Sequence, residues 1–329
     1  MKTRSPQSLL EFQRMFPGEL ECIAYLEAVR WSNGFTCPIC GISDLAQRIA
    51  TRPRILRCRH CHRDTALTAG TVMHATRIPL QAWFLAAYLV TTQTPGISAL
   101  QLQRQLGLSR YETAFQMLHK LRAGMVRPDR DRIGTDWSVE VDEALIGGRT
   151  RGEGRGVHHK ELVIGALEVR TRSADNKKKR RSSLYAGRLR LRHIADRGAK
   201  TLTGFVSDNV KKGAVVRTDG FDSYNSLTQQ EYMHDPLVLK GDPERMDAHL
   251  PMIHITFSNL KTWLQGTHHS VGKQHLQAYL DEFVFRYNRR FYPMTGFASI
   301  LGIGIGVSAP TYQELYNGAR DHHARSAGS

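Results

Sequence analysis

Two aspartates and a histidine have the residue types and spacing that metal-dependent chemistry needs. Asp142 ends the strand-like run 137–142, and Asp219 ends a second such run, 214–219. His254 follows 35 residues after Asp219, at the head of a helical pattern. Two strand-borne carboxylates and a third group on a helix can hold two hard divalent cations for phosphodiester chemistry. We therefore predict that Asp142 and Asp219 bind Mg²⁺ or Mn²⁺.

The third position of this site is open between two residues. His254 stands seven residues before Lys261, which is two helical turns, so both side chains share one face. Asn259 is the alternative, although it could donate only a carbonyl oxygen. An imidazole is softer than a carboxylate and suits Mn²⁺ at least as well as Mg²⁺. The candidate catalytic residues are Asp142, Asp219, His254, Asn259 and Lys261, and the lysine is expected to touch DNA phosphate.

Two glutamates flank the first aspartate. Glu140 shares its sheet face with Asp142, because side chains two apart on a strand point the same way, and it is a reserve ligand. Glu143 faces the other way and is expected to make a structural contact. A purely structural role is the alternative for each aspartate, and the pair Asp219-Gly220 suits a turn.

Four of the five cysteines form two pairs. Cys37 and Cys40 make one Cys-x-x-Cys knuckle, Cys58 and Cys61 make the second, and 17 residues separate the pairs. This spacing predicts a structural zinc site with four thiolate ligands, and metal binding would supply much of the folding energy of so short a segment. Cys22 lies in an apolar helical pattern and is expected to be a small buried residue.

The elements before residue 130 are predicted to be helical apart from the zinc segment. Residues 7–30 form one amphipathic helix or two short ones, and 80–92 form an apolar helix. A helix ending at Gly107 and a second one, capped by Ser109 and running over 111–122, give a helix-turn-helix pattern. A plain helical hairpin is the alternative. The residues expected to face DNA are Arg110, Tyr111, Thr113, Gln116 and Lys120.

Strand patterns dominate after residue 136. The predicted elements are strands at 137–146, 162–169, 187–194, 214–218 and 237–239, with a helix at 199–210 before the fourth strand and helices after the last. This order is that of a ribonuclease-H-like fold, in which Asp142 and Asp219 would lie on the first and fourth strands. Arg188, Arg190 and Arg192 would share one face of a half-exposed strand. Residues 302–306 are expected to form a loop.

The charge balance favours a polyanionic partner. Lys and Arg number 46 against 30 Asp and Glu, which gives a net charge of +16 and an isoelectric point of about 9.9. Nucleic acid is favoured over an anionic membrane surface, and an ordinary basic enzyme is the alternative. Neither a membrane span nor a signal sequence is apparent, so we expect a cytoplasmic, nucleoid-associated protein. Further candidate DNA contacts are Lys177, Lys178, Lys179, Arg180, Arg181, His268, His269, Arg286, Arg289 and Arg290.

Several sequence blocks together resemble a known family. The runs 139–148, 218–224, 258–269 and 275–290 are similar to the ISXO-type insertion-sequence transposases of the DDE superfamily, as are the cysteine knuckles and the run 69–74. The similarity covers roughly residues 15–300. It implies DNA cleavage and strand transfer at the terminal inverted repeats of a mobile element, with Mg²⁺ and a multimeric protein–DNA complex. Family members carry Glu, Asn or His at the third catalytic position, followed by Lys.

The sequence thus predicts a multidomain α/β protein. Its expected parts are N-terminal helices (1–34), a zinc ribbon (35–75), a helix-turn-helix region (76–130), a ribonuclease-H-like catalytic domain (131–310) and a tail (311–329). The expected activity is that of a DNA transposase acting on double-stranded DNA as a dimer or higher oligomer. Two alternatives stay open: a catalytically decayed DNA-binding protein or regulator, and a metal-dependent nuclease without strand transfer.

Overall fold

A computed structural model describes residues 4–43, 46–127, 130–147, 160–172, 183–237 and 249–317. The chain divides into two compact units. The first comprises Met1–Pro128 and Arg289–Ser329, and the second is Asp129–Asn288. Within the described residues, no helix is both long and apolar enough to cross a membrane.

The helices and strands follow one another along the chain. In order they are α1 (Leu9–Met15), α2 (Glu19–Arg30), β1 (Ala46–Arg48), β2 (Ile55–Cys58), β3 (Asp64–Ala66), α3 (Leu80–Thr92), α4 (Ala99–Leu106), α5 (Tyr111–Ala123), β4 (Ser138–Ile146), β5 (Glu161–Thr171), β6 (Leu184–Ile194), α6 (Ala199–Asn209), β7 (Val215–Asp219), β8 (Met233–Leu237), α7 (Pro251–Trp263), α8 (Leu276–Tyr287), α9 (Thr295–Ile305) and α10 (Tyr312–Asn317). A 3₁₀ helix covers Asp222–Gln230, and a π-helical turn, Leu264–His268, continues α7.

Aromatic side chains form the core of the first unit. Phe16 lies with its ring centroid 4.8 Å from that of Phe84 and 5.6 Å from that of Phe297. All three side chains are almost completely buried. Because Phe297 belongs to α9, this core attaches the segment after residue 288 to the N-terminal helices.

Two predictions about this C-terminal segment differ from the structure. Residues 302–306 were expected to be a loop, but α9 runs through Ile305. Of the glycines in this segment, Gly304 serves close packing: a Cβ there would come within 2.8 Å of Val72, and a Cβ on Gly124 would come within 3.2 Å of the Gly304 Cα. For the same reason residues 289–310 cluster with the first unit and not with the domain predicted to end at 310.

Helices α4 and α5 flank a tight turn. Ser98 caps α4 by accepting a hydrogen bond from the Gln101 N–H at 3.2 Å, and Gly107 ends it in the left-handed conformation at φ 61°. Glycine suits that position because it has no Cβ to clash. The predicted cap at Ser109 is wrong, because α5 begins after Arg110, and no side chain caps it.

A small sheet has the order β1-β2-β3, with both pairings antiparallel, and of the four paired cysteines only Cys58, at the end of β2, belongs to its strands. Its strands are only three or four residues long. So small a sheet buries little apolar surface, and Leu56 and Cys58 are its buried apolar side chains in β2.

The second unit is built on a five-stranded sheet in the order β6-β5-β4-β7-β8. β4 pairs antiparallel with β5 and parallel with β7, and β8 runs parallel to β7 at one edge. The fifth strand was predicted at 237–239; the structure describes a strand over Met233–Leu237, and residues 238 and 239 lie outside the described residues. It contains Pro236, which an edge strand tolerates because one side of it carries no ladder hydrogen bonds.

Helices cover both faces of this sheet. One face carries Val139 and Val141 of β4 and packs against α6 and Tyr224 of the 3₁₀ helix. The other carries Ala144 and Ile146 and packs against α7 and α8. The alternation of side chains along β4 therefore directs Asp142 toward the α7 side.

Candidate functional site

Asp142 and Asp219 lie on adjacent parallel strands. β4 and β7 are paired at Glu140 and Arg217, so the same register two residues further on places Asp142 beside Asp219. β4 covers Ser138–Ile146, in agreement with the strand predicted at 137–146, so Asp142 lies inside the strand and β5 pairs with it on both sides of this residue. Burial raises the pKa of Asp219, and the negative charge of Asp142 raises it further.

His254 is the helical residue that reaches this pair. Its Nε2 lies 3.2 Å from Oδ2 of Asp142, with 28% of the His254 side chain exposed. α7 begins at Pro251, so His254 stands in the first turn of the helix. Asn259 is exposed and lies five residues on, about 140° around the helix, while exposed Lys261 returns to the His254 face.

A glycine lets the helix come this close to the sheet. Gly165 of β5 pairs directly with Asp142 across the antiparallel ladder. A Cβ at Gly165 would lie 3.0 Å from Ile253 Cδ1 and 3.0 Å from Phe257 Cζ. Such contacts are tighter than ordinary van der Waals packing, so a larger side chain at Gly165 would require the Ile253 and Phe257 side chains to shift.

Glu140 is turned toward the start of α7. Its Oε2 accepts hydrogen bonds from the backbone N–H groups of Met252 at 2.9 Å and Ile253 at 2.8 Å. The side chain is fully buried, and burial raises its pKa to about 7, although these two hydrogen bonds act in the opposite direction. These contacts therefore favour a structural role for Glu140 over the reserve role as a metal ligand.

Glu143 points to the opposite face, as its position in the strand predicted. The Tyr224 hydroxyl donates to its carboxylate, and Arg197 Nε lies 3.6 Å from its Oε2. Burial raises the pKa of Glu143 to about 7, and the charges of Asp142 and Asp219 add to that effect. Glu143 thus connects β4 to the 3₁₀ helix behind the aspartate pair.

Two arginines near the aspartates were missed by the sequence analysis. Arg217 lies two residues before Asp219, and its positive charge favours the ionised form of Glu140. Arg197 follows β6, has 48% of its side chain exposed and favours the ionised form of Asp219. The alternation that placed Asp219 could have identified Arg217, but Arg197 lies in a loop and carried no such signal.

The donor groups fit a hard or borderline divalent cation. Two carboxylates and an imidazole nitrogen are ligands that Mg²⁺ and Mn²⁺ accept, and such ions retain water and substrate oxygens as further ligands. The mutual repulsion of Asp142 and Asp219 is the kind of electrostatic cost that a bound cation relieves. Within the described residues, the acidic site does not bring three such ligand atoms close together.

The four cysteines do converge. Their sulfur atoms all lie within 4.8 Å of one another, with Cys37 Sγ 3.6 Å from Cys61 Sγ and Cys40 Sγ 3.8 Å from Cys58 Sγ. Tetrahedral zinc with bonds of about 2.3 Å would need sulfur separations of roughly 3.8 Å. Backbone N–H groups of Cys40 and Ile39 lower the pKa of Cys37 to about 6, which favours a thiolate. The group fits a structural Zn²⁺.

The predicted DNA contacts are placed unequally. Arg110 and Tyr111 are exposed at the start of α5. Gln116 and Lys120 are half-buried, and the Gln116 amide lies 3.5 Å from the Tyr316 hydroxyl. Lys177, Lys178, Lys179, Arg180 and Arg181 lie outside the described residues.

The C-terminal group of predicted contacts divides in the same way. His269 is exposed, but His268 packs edge-on against Trp263 and Tyr279. Arg286 has only 15% of its side chain exposed and lies 3.6 Å from Glu282, so burial argues against a direct DNA contact there and at His268.

The last two predicted contacts follow α8. Arg289 is partly buried, and this burial lowers its pKa to about 10. The guanidinium of Arg290 lies 4.5 Å from the ring centroid of Phe291, which is exposed. Of these two arginines, Arg290 is thus next to exposed aromatic surface.

Comparison with known proteins gives two domain matches. Residues 135–288 match the family model of the ISXO2-like transposase domain, and residues 17–64 match that of the transposase zinc-ribbon domain. The first range contains Asp142, Asp219 and His254, and the second contains all four paired cysteines. A protein described as an uncharacterized protein in transposable element ISH50, from Halobacterium salinarum, is 26% identical over 290 residues, which cover 83% of this chain and 92% of that protein. No solved structure matches the chain.

Proposed function

We propose that this chain, which matches the ISXO2-like transposase domain and the transposase zinc-ribbon domain, is a transposase that binds the terminal inverted repeats of an insertion sequence and cleaves and transfers DNA strands there. The observation that carries the proposal is that, within the matched domain, the strand register places Asp142 beside Asp219 and His254 lies against Asp142. The family supports the reaction class, and the geometry supports these three residues as its centre.

We propose that Asp142 and Asp219 hold the catalytic ions and that His254 supplies the third protein ligand. Bound Mg²⁺ or Mn²⁺ would activate the attacking oxygen and stabilise the leaving oxygen of a phosphodiester. The carboxylates orient toward α7, and the imidazole stands on the side of Asp142 from which the helix approaches. His254 is favoured over Asn259 because only the histidine shares the helix face of Lys261 and contacts Asp142.

Basic side chains would hold the DNA next to this centre. Lys261 is exposed on the His254 face of α7, and Arg197 is half-exposed beside Glu143. Both can donate hydrogen bonds to a phosphate oxygen. The net charge of +16 adds a sequence-independent attraction to the duplex, whereas Arg110 and Tyr111 at the start of α5 are our candidates for sequence reading.

The zinc ribbon is proposed to be structural. Four thiolates leave no open coordination position, so this ion would fold the ribbon and not take part in catalysis. The assembly that pairs two element ends is proposed to contain at least two copies of the chain, in keeping with the strand-transfer reaction.

The proposal is tested with full-length protein, end-labelled DNA carrying the inverted repeats that flank its gene, and Mg²⁺ or Mn²⁺. Cleaved ends that become joined to target DNA are expected. Asp142→Asn and Asp219→Asn should lower cleavage by at least about 1,000-fold, because each removes a charged ligand. Asp208→Asn, an exposed carboxylate of α6 with 60% of its side chain accessible, is the matched control and should retain activity.

Other outcomes would replace the proposal. Cleavage without joining would identify a metal-dependent nuclease. Binding without cleavage in either metal would identify a DNA-binding protein that has lost catalysis. Full activity of Asp142→Asn or Asp219→Asn would remove the proposed centre.

A further inference from the structure

One strand contacts the start of α7 at two neighbouring points. Asp142 lies 3.2 Å from the His254 imidazole, and Glu140 accepts the N–H groups of Met252 and Ile253. Side chains two apart on a strand are separated by about 6.6–6.8 Å along the same face. β4 therefore binds the N–H groups of Met252 and Ile253 through Glu140, and it contacts the His254 imidazole through Asp142.

The Glu140 contacts are suited to fixing a helix terminus. The first N–H groups of an α-helix have no partner within the helix, and they carry partial positive charge that a carboxylate stabilises. Glu140 uses one oxygen for both N–H groups, while its Oε1 has no hydrogen-bond partner among the described residues. Helix termini are usually capped by a residue adjacent in sequence, but here the acceptor comes from 112 and 113 residues away.

No cap within the helix competes with this contact. Leu250 precedes the helix and makes no side-chain capping hydrogen bond, and Pro251 has no N–H to offer. The next N–H groups are those of Met252 and Ile253, and both go to Glu140. The axial position and the rotation of the first turn are therefore set from the sheet.

We propose that Glu140 is a positioning residue for the active site: it anchors the first turn of α7 to β4 and thereby sets His254 beside Asp142. The inference rests on the proposed function for its catalytic meaning, because His254 matters for catalysis only if it serves that site. Glu140 plays this role through the hydrogen bonds that it accepts from the Met252 and Ile253 N–H groups. Its effect passes through the helix backbone.

Two substitutions distinguish the effect of the acceptor oxygen of Glu140 from the effect of its negative charge. Glu140→Gln keeps one acceptor oxygen for the two N–H groups, whereas Glu140→Ala removes it. Thr256→Val is the matched control on the same helix: it removes a buried hydroxyl that donates to the Met252 carbonyl and lies 3.0 Å from the Tyr287 hydroxyl. It leaves the Glu140 contacts in place.

The first readout is the rate at which His254 is chemically modified in the full-length, DNA-free protein. Diethyl pyrocarbonate modification of His254 is followed by mass spectrometry, with exposed His269 as the internal reference. Glu140→Ala should raise the His254 modification rate at least about fivefold and leave that of His269 unchanged. Glu140→Gln and Thr256→Val should stay within about twofold of the wild-type rate.

The second readout is amide hydrogen exchange at residues 252 and 253, which should accelerate at least tenfold in Glu140→Ala alone. An unchanged His254 rate in a folded Glu140→Ala protein would overturn the inference, as would an equal rise in Thr256→Val. In DNA cleavage, Glu140→Ala should lower kcat with little change in KM. If wild-type protein fails to cleave DNA, the proposed function fails, while the modification and exchange rates still decide whether Glu140 positions His254.

Discussion

The Nε2 atom of His254 lies 3.2 Å from Oδ2 of Asp142, although 112 residues separate them in the chain. Gly165 makes the approach possible because it presents no side chain to α7. Glu140 holds the first N–H groups of the same helix. The candidate site thus depends on how one helix is seated on β4 and β5.

Zinc should be a structural requirement of the first unit. Purified protein is expected to contain one Zn²⁺ per chain by atomic absorption. Cys40→Ser should release the metal and unfold the ribbon, because the small sheet has little apolar core of its own. The matched control is Cys22→Ala, which changes a fully buried cysteine outside the cluster and should keep the zinc. Retention of one zinc per chain by Cys40→Ser would contradict the four-cysteine site.

The Tyr224 hydroxyl should stabilise the second unit through Glu143. Tyr224→Phe removes the hydroxyl donor from the carboxylate of Glu143, whose side chain is only 3% exposed, and we expect a loss of about 1–3 kcal/mol in the free energy of unfolding. Tyr232→Phe is the control, because its hydroxyl donates to the neutral Val210 carbonyl at 3.3 Å. Urea unfolding measures both. Equal losses in the two variants would show that the charged acceptor is not the source of the effect.

Much of this arrangement could be predicted from the sequence, and the rest required tertiary contacts. The Cys-x-x-Cys spacing indicated the thiol cluster because each knuckle directs two sulfurs at one point. Strand alternation gave the faces of Asp142 and Glu143. The hydrogen bonds from Glu140 to α7 could not be predicted, because they depend on where a helix more than 100 residues later meets the sheet.

The errors have equally local causes. The glycines of α9 suggested a loop, since glycine weakens isolated helices. One of them, Gly304, has a packing role, since it lies against Val72 and Gly124, where a larger residue would not fit. Ser109 was a good cap by residue type, but the helix begins one residue later, after Arg110.

Glu168 should make stability depend on acid pH. Burial alone would raise its pKa, but hydrogen bonds from Arg188, Arg170 and the Gly134 N–H outweigh burial and lower it from 4.5 to about 2. The contribution is therefore present above about pH 4.5 and is lost as the pH falls toward 2. A shift of this size corresponds to roughly 3 kcal/mol, since each pKa unit is worth about 1.4 kcal/mol.

Urea unfolding of wild type and Glu168→Gln at pH 7 and pH 3 tests this prediction. The difference in the free energy of unfolding between the two proteins should have its full value at pH 7 and roughly half of that value at pH 3. Glu161→Gln, which changes a partly exposed carboxylate of the same strand, should show a small difference at both values. A Glu168→Gln difference that does not change with pH would contradict the assigned pKa.

Arg110 should contribute to DNA affinity. Arg110→Ala at the exposed start of α5 is expected to weaken binding to the element end about five- to tenfold in a fluorescence anisotropy titration at fixed salt. Arg14→Ala removes the same charge from an exposed position of α1 and should change affinity less than twofold. Equal weakening by the two variants would mean that only total charge matters, and the proposed reading role of α5 would be abandoned.

The most direct test of the active site compares His254→Ala with Asn259→Ala in single-turnover cleavage of the labelled element end with Mn²⁺. His254→Ala should lower the cleavage rate at least about 100-fold, because it removes the side chain that meets Asp142. Asn259→Ala should stay within about threefold of wild type, since Asn259 is exposed on another side of α7. The reverse order, with Asn259→Ala inactive and His254→Ala active, would contradict the assignment of His254 to the catalytic centre.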